Sequence, residues 1–437
     1  MLRAVPPPAP RAPPPGARLL AAHGQGVRQH GPGRGPRAGS PLHPQAAARA
    51  RRGDRGLRIR GGPQRRDPRA DGGLVTDGSA AAPLIGTHGL DWLDEEGPDG
   101  DIVVSSRVRL ARNLQGYSFS AHATGEEREA LLEKARAATE AAGVLEEVDF
   151  WEISRLDPVD RLLLLERRLV SKELIGGPET GPRRGSGLAL SRTRALGMMV
   201  NEEDHLRLQT LRGGFQLAAA WRDLDQLDEE IGARLPYAFH QEFGFLTSCP
   251  TNVGTGLRAS VFIHLPGLVL TRQIRKVLEG MGQLGVTYRG LYGEGSRIVG
   301  NLFQISNQTT LGKTEEDLID QLERLVGRVI GYEKQARAVL LREAPNVLED
   351  KVWRAYGILC HARSLPFEEM MNLLSGVRLG ISLKLLKTPR VDVISRMMIH
   401  AQTAHLARAA GRRLDEADAD AFRASYVRRA FNDAGSH

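Results

Sequence analysis

The chain has 437 residues, 41% of them hydrophobic, and a formal net charge of +8, a length that accommodates two ordinary domains. Two cysteines, Cys249 and Cys360, exclude a disulfide framework. No stretch approaches the ~18 to 20 apolar residues of a membrane span or forms a signal-peptide core, so a cytoplasmic protein is expected.

The charge is unevenly placed. Residues 1–71 hold 15 Arg, no Lys and 3 Asp, a net charge of +12, so the rest of the chain is acidic. This leader also holds 13 of the 24 prolines and no Phe, Trp or Tyr. Such a segment cannot bury enough apolar surface to offset chain entropy. Residues 1–80 are therefore expected to be a disordered leader whose deletion leaves activity unchanged. A transit peptide or a nucleic-acid arm would need amphipathic periodicity or interleaved aromatics, which are missing.

After a Gly/Pro linker ending at Gly100, Ile102 to Val104 gives the first strand signal. The spacing predicts a helix over 126–142, a loop over 176–187, strands at 260–265 and 298–305, and a helix over 271–281 between them. Strands and helices alternate without a regular βαβ repeat, which indicates an α+β fold. Thr314 followed by Asp317 marks a helix start. Beyond it the pattern is helical at 347–361, 367–374, 391–408 and 416–431. A catalytic domain over 92–330 and an all-helical domain over 335–437 are the expected organisation.

Five arginines stand in compact blocks: Arg107 and Arg109 in Ser105-Ser106-Arg107-Val108-Arg109, Arg207 in Asn201-Glu202-Glu203-Asp204-His205-Leu206-Arg207, Arg258 in Arg258-Ala259-Ser260-Val261-Phe262, and Arg289 in Arg289-Gly290-Leu291-Tyr292-Gly293-Glu294. Alternate strand residues share a face, so Arg107 and Arg109 form a pair, and planar guanidinium forks suit phosphate oxygens. Other nucleotide devices are missing. Leu311-Gly312-Lys313-Thr314 has Asn307 where a Walker loop needs Gly, and Gly254-Thr255-Gly256 reads as a tight turn. No metal-ligand spacing occurs. Either arginines hold the phosphates of a nucleotide, or each is a solvated surface residue. His264, within an apolar strand, reads as a core residue.

These blocks, together with Cys249-Pro250-Thr251-Asn252-Val253-Gly254-Thr255-Gly256-Leu257 leading into Arg258, resemble the signatures of the phosphagen (guanidino) kinase superfamily, and most closely its bacterial protein arginine kinases. The resemblance runs from about Trp92 to Phe431. It implies an antiparallel sheet flanked by helices and an ATP- and Mg2+-dependent phosphoryl transfer to arginine side chains. It also implies five phosphate-binding arginines, matching Arg107, Arg109, Arg207, Arg258 and Arg289, and an ATP site drawing on Ser105 to Arg109, Arg258 to Phe262 and Arg289 to Glu294. Glu203 and Glu294 match the catalytic carboxylates, and Cys249 matches a thiol beside the substrate guanidinium. His205 is then expected to be structural, because both proton-accepting roles are filled. Where the family has a nucleotide-contacting His before Leu-Ile-Ser, this chain has Arg168 before Leu169-Val170-Ser171.

Small-substrate relatives carry an N-terminal helical domain where this chain has its leader, so an uncovered site open to protein surfaces is expected. The C-terminal helices of protein arginine kinases carry an allosteric phosphoarginine pocket with the signature Arg-Asp-x-x-Arg-Ala. Here Ala419 replaces its first Arg, leaving Asp420, Arg423 and Ala424. One lost charge-assisted contact, about 1.5 to 3 kcal/mol, should weaken phosphoarginine binding by roughly ten- to a hundredfold, and Ala419→Arg is expected to restore part of it. The implied partners are protein substrates, an McsA-like activator, a Clp unfoldase, a stress-gene repressor and further copies of the chain, without membrane or direct nucleic-acid contact. The alternatives are a small-molecule guanidino kinase and a non-catalytic phosphoarginine-binding adaptor.

Overall fold

The computed structural model describes residues 86, 88–93, 97–120, 122–177, 179–290 and 298–435; the expected leader, residues 1–80, lies outside them. In chain order they form β1 (Val103–Arg112), α1 (Gly125–Glu140), β2 (Val148–Glu152), α2 (Pro158–Glu166), α3 (Lys172–Ile175), β3 (Gly187–Ser191), β4 (Leu196–Val200), β5 (Leu206–Gly213) and α4 (Leu217–Gly232). There follow the short pair β6 (Phe239–His240) and β7 (Gly244–Phe245), then β8 (Leu257–His264), α5 (Pro266–Leu270), α6 (Ile274–Gly282), β9 (Val286–Arg289) and β10 (Leu302–Asn307). The remainder is helical: α7 (Glu315–Glu343), α8 (Pro345–His361), α9 (Phe367–Ser382), α10 (Val391–His400), α11 (Thr403–Ala410) and α12 (Glu416–Gly435).

Eight strands make one sheet in the order β2-β3-β4-β5-β1-β8-β10-β9, with every neighbouring pair antiparallel. This is the α+β architecture that the irregular alternation of elements implied. Its two faces are built from opposite parities of the same strands. Val108 and Leu110 of β1, Leu206 and Leu208 of β5, and Ala259, Val261 and Ile263 of β8 face a core closed by α1, α4, α6 and α7. Leu211, Phe262 and Leu302 face the other side, where α2, α3, α8, α9, α10 and α12 supply the partners.

Helix ends follow local chemistry. Thr124 and Glu127 cap α1 reciprocally, as Thr314 and Asp317 cap α7. The segment Leu311 to Thr314 is thus the entry to α7 and not a phosphate loop. The expected break near 335 falls inside α7, whose 29 residues run through it. Gly254 and Gly256 have φ of 112° and 68°, the tight turn expected of them.

Several expected spans differ from what forms; the helix expected over 367–374, for one, runs on to Ser382. The helix expected over 271–281 begins at Ile274, because Arg272 turns left-handed at φ 59° and separates α5 from α6. The strand expected from Ile298 begins at Leu302, because Gly300 and Asn301 are both left-handed. The helix expected over 391–408 is split into α10 and α11. Both Glu166 carboxylate oxygens accept from Ala404 and His405 backbone N–H groups at 2.8 and 3.1 Å, capping a fresh helix start. No described helix is long and apolar enough to cross a membrane.

Candidate active site

Strand register places the five singled-out arginines together. Arg109 sits opposite Arg258 on one neighbour and Gln209 on the other; Arg107 is two residues before Arg109, and Arg207 two before Gln209. Gln304 lies opposite both Phe262 and Arg289. Parity then puts Arg107, Arg109, Arg207, Arg258 and Arg289 on one face, the face partly covered by the C-terminal helices.

Arg168 joins them from the turn after α2. It holds a left-handed backbone at φ 66°, donates to Gln304 Oε1 at 2.9 Å and Ser105 Oγ at 3.4 Å, and stacks over the Phe262 ring. Gln209 secures this turn by donating to the Leu169 carbonyl. Arg107 also donates to Gln304 Oε1, at 3.3 Å.

So many buried guanidinium groups repel one another. Burial first, then Arg168 and Arg207, push the Arg107 pKa down to about 9, and burial with Arg107 and Arg207 nearby holds Arg109 well below its usual value. The buried Nε atoms of both lack a hydrogen-bond partner among the described residues. Unsatisfied buried donors are costly. A polyphosphate chain supplies the oxygens and negative charge that this face lacks, so these residues fit ATP.

At one edge stands the acidic turn Asn201 to His205. Arg207 pairs with Glu202 at 3.0 Å and with Glu203 at 3.1 Å. Burial would lower the Arg207 pKa, but Glu202, Asp204 and Glu203 together raise it. The two glutamates differ. Glu202 is buried and accepts from the Glu203 backbone N–H at 2.8 Å, whereas the Glu203 side chain is 42% exposed and free to meet an incoming group. Asp204 Oδ1 accepts from Asn113 at 2.9 Å and from the Ser248 backbone at 2.6 Å, which ties this turn to the loop bearing Cys249. The Cys249 thiol is partly exposed, lies 3.1 Å from the Thr251 hydroxyl, and with Glu203 contributes to the electrostatic surroundings of Arg258.

The profile of the ATP:guanido phosphotransferase C-terminal catalytic domain matches residues 130–336, and that of the protein-arginine kinase McsB C-terminal domain matches residues 345–437. A protein-arginine kinase of Desulforamulus reducens is 44% identical over 345 residues, 78% of this chain and 95% of the relative. The chain belongs to the protein-arginine kinase family. A second member, from Symbiobacterium thermophilum, is 44% identical over 342 residues, 77% of this chain and 95% of its own. Among solved structures, the duplicated taurocyamine kinase of Schistosoma mansoni with bound transition-state-analogue components is 26% identical, with a TM-score of 0.50 over 60% of this chain and 39% of that one.

Within this protein-arginine kinase not every residue of the nucleotide blocks faces the site. Val108, Ala259 and Val261 point into the opposite core, and Ser106 bonds to the Gly214 carbonyl and the Gln216 N–H. Their side chains fix the strands instead of lining the arginine cluster. Ser105, Ser260 and Phe262 share the arginine face. Gly290 follows β9, and Leu291, Tyr292, Gly293 and Glu294 lie outside the described residues. His205 is structural: Nδ1 accepts from Leu114 N–H at 3.0 Å, so Nε2 donates to Ser118 O at 2.9 Å, and burial lowers its pKa. His264 is buried as expected, with Nε2 2.8 Å from Ser375 Oγ.

Besides Gln209 and Gln304, two supporting residues escaped the sequence reading, Asn113 and Arg112. Buried Asn113 also accepts from His205 N–H at 2.8 Å. Buried Arg112 pairs with Asp228 at 2.7 Å, donates to Thr255 O at 2.8 Å and stacks 3.6 Å over Phe245, so it braces the loop before Arg258. Nothing in their spacing separates them from surface polar residues.

In the C-terminal helices, Arg423 is buried and donates to the Ala401 and Leu365 carbonyls at 2.8 and 2.9 Å and to Asp420 at 2.5 Å. Ala424 is buried in the core. Ala419 is 4% exposed and packed with Leu406 and Leu414, so a long cation at 419 would enter an apolar cluster. The expected rescue by Ala419→Arg is therefore corrected: the substitution meets packing before it meets a ligand. Arg412 is paired with Asp418 at 2.7 Å.

Proposed function

We propose that this chain transfers the γ-phosphoryl group of ATP to arginine side chains of proteins. The observation that carries the reading is the single sheet face on which five arginines converge with two unsatisfied buried Nε donors, while partly exposed Glu203 and Cys249 stand at its edge. A substrate arginine is effectively always protonated, so deprotonating it in advance at pH 7 would cost on the order of 9 kcal/mol. Glu203, with Glu294, instead grips the guanidinium and accepts its proton as the N–P bond forms and the bond from γ-phosphorus to the bridging oxygen breaks, releasing ADP. The arginines hold the phosphates in line and offset charge that develops on the transferred group. Mg2+ carried on the nucleotide phosphates adds further charge neutralisation; the described residues include no group of three or more His, Cys, Asp or Glu side chains suited to hold a metal.

Protein substrates with exposed arginine suit a cytoplasmic role in protein quality control, with an McsA-like activator, a Clp unfoldase, a stress-gene repressor and further copies of the chain as partners. Asp420, Arg423 and Ala424 are retained as the residues of a weakened phosphoarginine pocket. The deciding experiment incubates the protein with Mg·ATP and either casein or free arginine and assays acid-labile phosphate. Label on casein is expected. Label on free arginine alone would replace the reading with a small-molecule kinase, and ATP binding without transfer to either would replace it with an adaptor.

A further inference from the structure

A row of side chains crosses the sheet at the rim of the guanidinium cluster. Ser105 of β1 lies opposite Phe262 of β8, Phe262 opposite Gln304 of β10, and Gln304 opposite Arg289 of β9. Arg168 spans this row from above. Its guanidinium carbon stands 4.4 Å from the centre of the Phe262 ring, and the fork reaches Ser105 on one side and Gln304 on the other. Gln304 is buried, and its Oε1 accepts from Arg168 at 2.9 Å and from Arg107 Nη2 at 3.3 Å. One amide oxygen is thus shared by two guanidinium groups that repel each other. That contact holds Arg107 through Nη2, while its buried Nε has no partner among the described residues.

We infer that Gln304 is a positioning residue for nucleotide binding: its neutral oxygen sets Arg107 and Arg168 at a fixed spacing and leaves their charge for the phosphates. Both parts of this role follow from the chemistry of the groups. An acceptor is needed, because a guanidinium has five N–H donors and no acceptor, so two neighbouring arginines cannot bond to each other and require an oxygen between them. The acceptor must also be uncharged. A carboxylate at 304 would form ion pairs with guanidinium groups that the amide only hydrogen-bonds, and in a buried site such attraction is strong. An incoming polyphosphate would then have to displace the protein's own anion. The amide leaves the cations uncompensated in the free protein, at some loss of stability, and keeps the face ready for an anionic ligand.

The inference rests on the reading of this face as the ATP site, and the test separates the two. In the full chain, Gln304→Glu, which keeps shape and acceptor but adds charge, is compared with Gln304→Met, which keeps length and removes the acceptor. Equilibrium binding of Mg·ATP and thermal melting without nucleotide are measured for both variants and for the native protein. Gln304→Glu should melt higher than the native protein yet bind Mg·ATP at least about tenfold more weakly. Gln304→Met should melt lower and also bind about tenfold more weakly. Opposed changes of stability and affinity in Gln304→Glu are what a packing role alone would not produce. Native-like affinity in either variant overturns the positioning role while the ATP reading stands. So does a Gln304→Glu protein that melts lower than the native one. Absence of Mg·ATP binding by the native protein overturns that reading and the inference with it.

Discussion

Adjacent glutamates with opposite surroundings give the clearest test of the active site. Glu202 is buried against Arg207 and the Glu203 N–H, whereas Glu203 is exposed toward the site. Glu203→Gln should abolish transfer with ATP affinity reduced by less than threefold. Glu202→Gln should weaken ATP binding by about tenfold, because Arg207 loses a charged hydrogen bond worth about 1.5 to 3 kcal/mol that fixes its orientation. Paired kinetics and equilibrium binding read both, and the reverse pattern would exchange the two roles. The sequence made the Asn-Glu-Glu-Asp-His block visible but not which glutamate is buried. That distinction is set by β5 and by the Cys249 loop, some forty residues further on, through Asp204 and Ser248.

A second carboxylate bears on stability alone. Burial, then the neighbouring Glu229, Asp228 and Glu316, push the Asp225 pKa from 3.8 up to about 6. Between those values the folded state binds the extra proton, so stability falls as pH rises through that window, and at pH 7 the ionised side chain is a net liability. Asp225→Asn should therefore raise stability at pH 7 by about 1 kcal/mol after allowance for solvent screening. Melts across pH should show the gain vanish below about pH 4; a loss at pH 7 would contradict the argument.

Helices taken whole show where sequence reasoning stops. The capping box of α7 and the apolar spacing behind it were readable, because both are local. The break between α10 and α11 was not, since Glu166 of α2 supplies the cap from more than two hundred residues away. The same holds for α9, whose pattern suggested only a helix. Its polar stripe of Asn372, Ser375, Arg378 and Ser382 reaches Gly300, His264, the Gly100 carbonyl and Asp101 in turn. For α12 the packing yields a prediction. Ala419→Arg must place a guanidinium among Leu406, Leu414 and neighbouring alanines, and overpacking alone costs about 1 to 3 kcal/mol. Thermal melting of the full chain should show a fall of several degrees; an unchanged melt would mean that the arginine finds a polar exit.

Across the molecule, one sheet divides two chemistries: an apolar face under α1, α4, α6 and α7, and a face that α8 to α10 and α12 share with the guanidinium cluster. The parity that pairs Arg107 with Arg109 was readable from their block, whereas the strands bearing Arg207 and Arg289 and the docking of the C-terminal helices on the cationic face, a matter of long-range packing, were not. Because the clustered guanidinium groups repel one another there, bound nucleotide should stabilise the fold strongly. At a hundred times its Kd it adds about 2.7 kcal/mol. Calorimetric melts with and without Mg·ATP should show a clear rise in Tm that Arg207→Ala diminishes.

Helix α7 is a rod of 29 residues, about 44 Å long at 1.5 Å per residue, and it makes the chain resist dissection. Its Glu333 accepts from the Gly267 and Leu268 N–H groups at 2.8 and 2.9 Å, and four residues on Arg337 grips both Glu333 and Asp101, at 2.7 and 3.1 Å. Severing the polypeptide at 335 would part the two halves of a buried ion pair and strip from the C-terminal helices the apolar surface they share with the sheet. Residues 335–437 produced alone should therefore melt without a cooperative transition, and a sharp calorimetric peak from that fragment would show the rod to be divisible. Without such a peak, the catalytic and C-terminal halves are inherited, damaged and degraded as a single cooperative object.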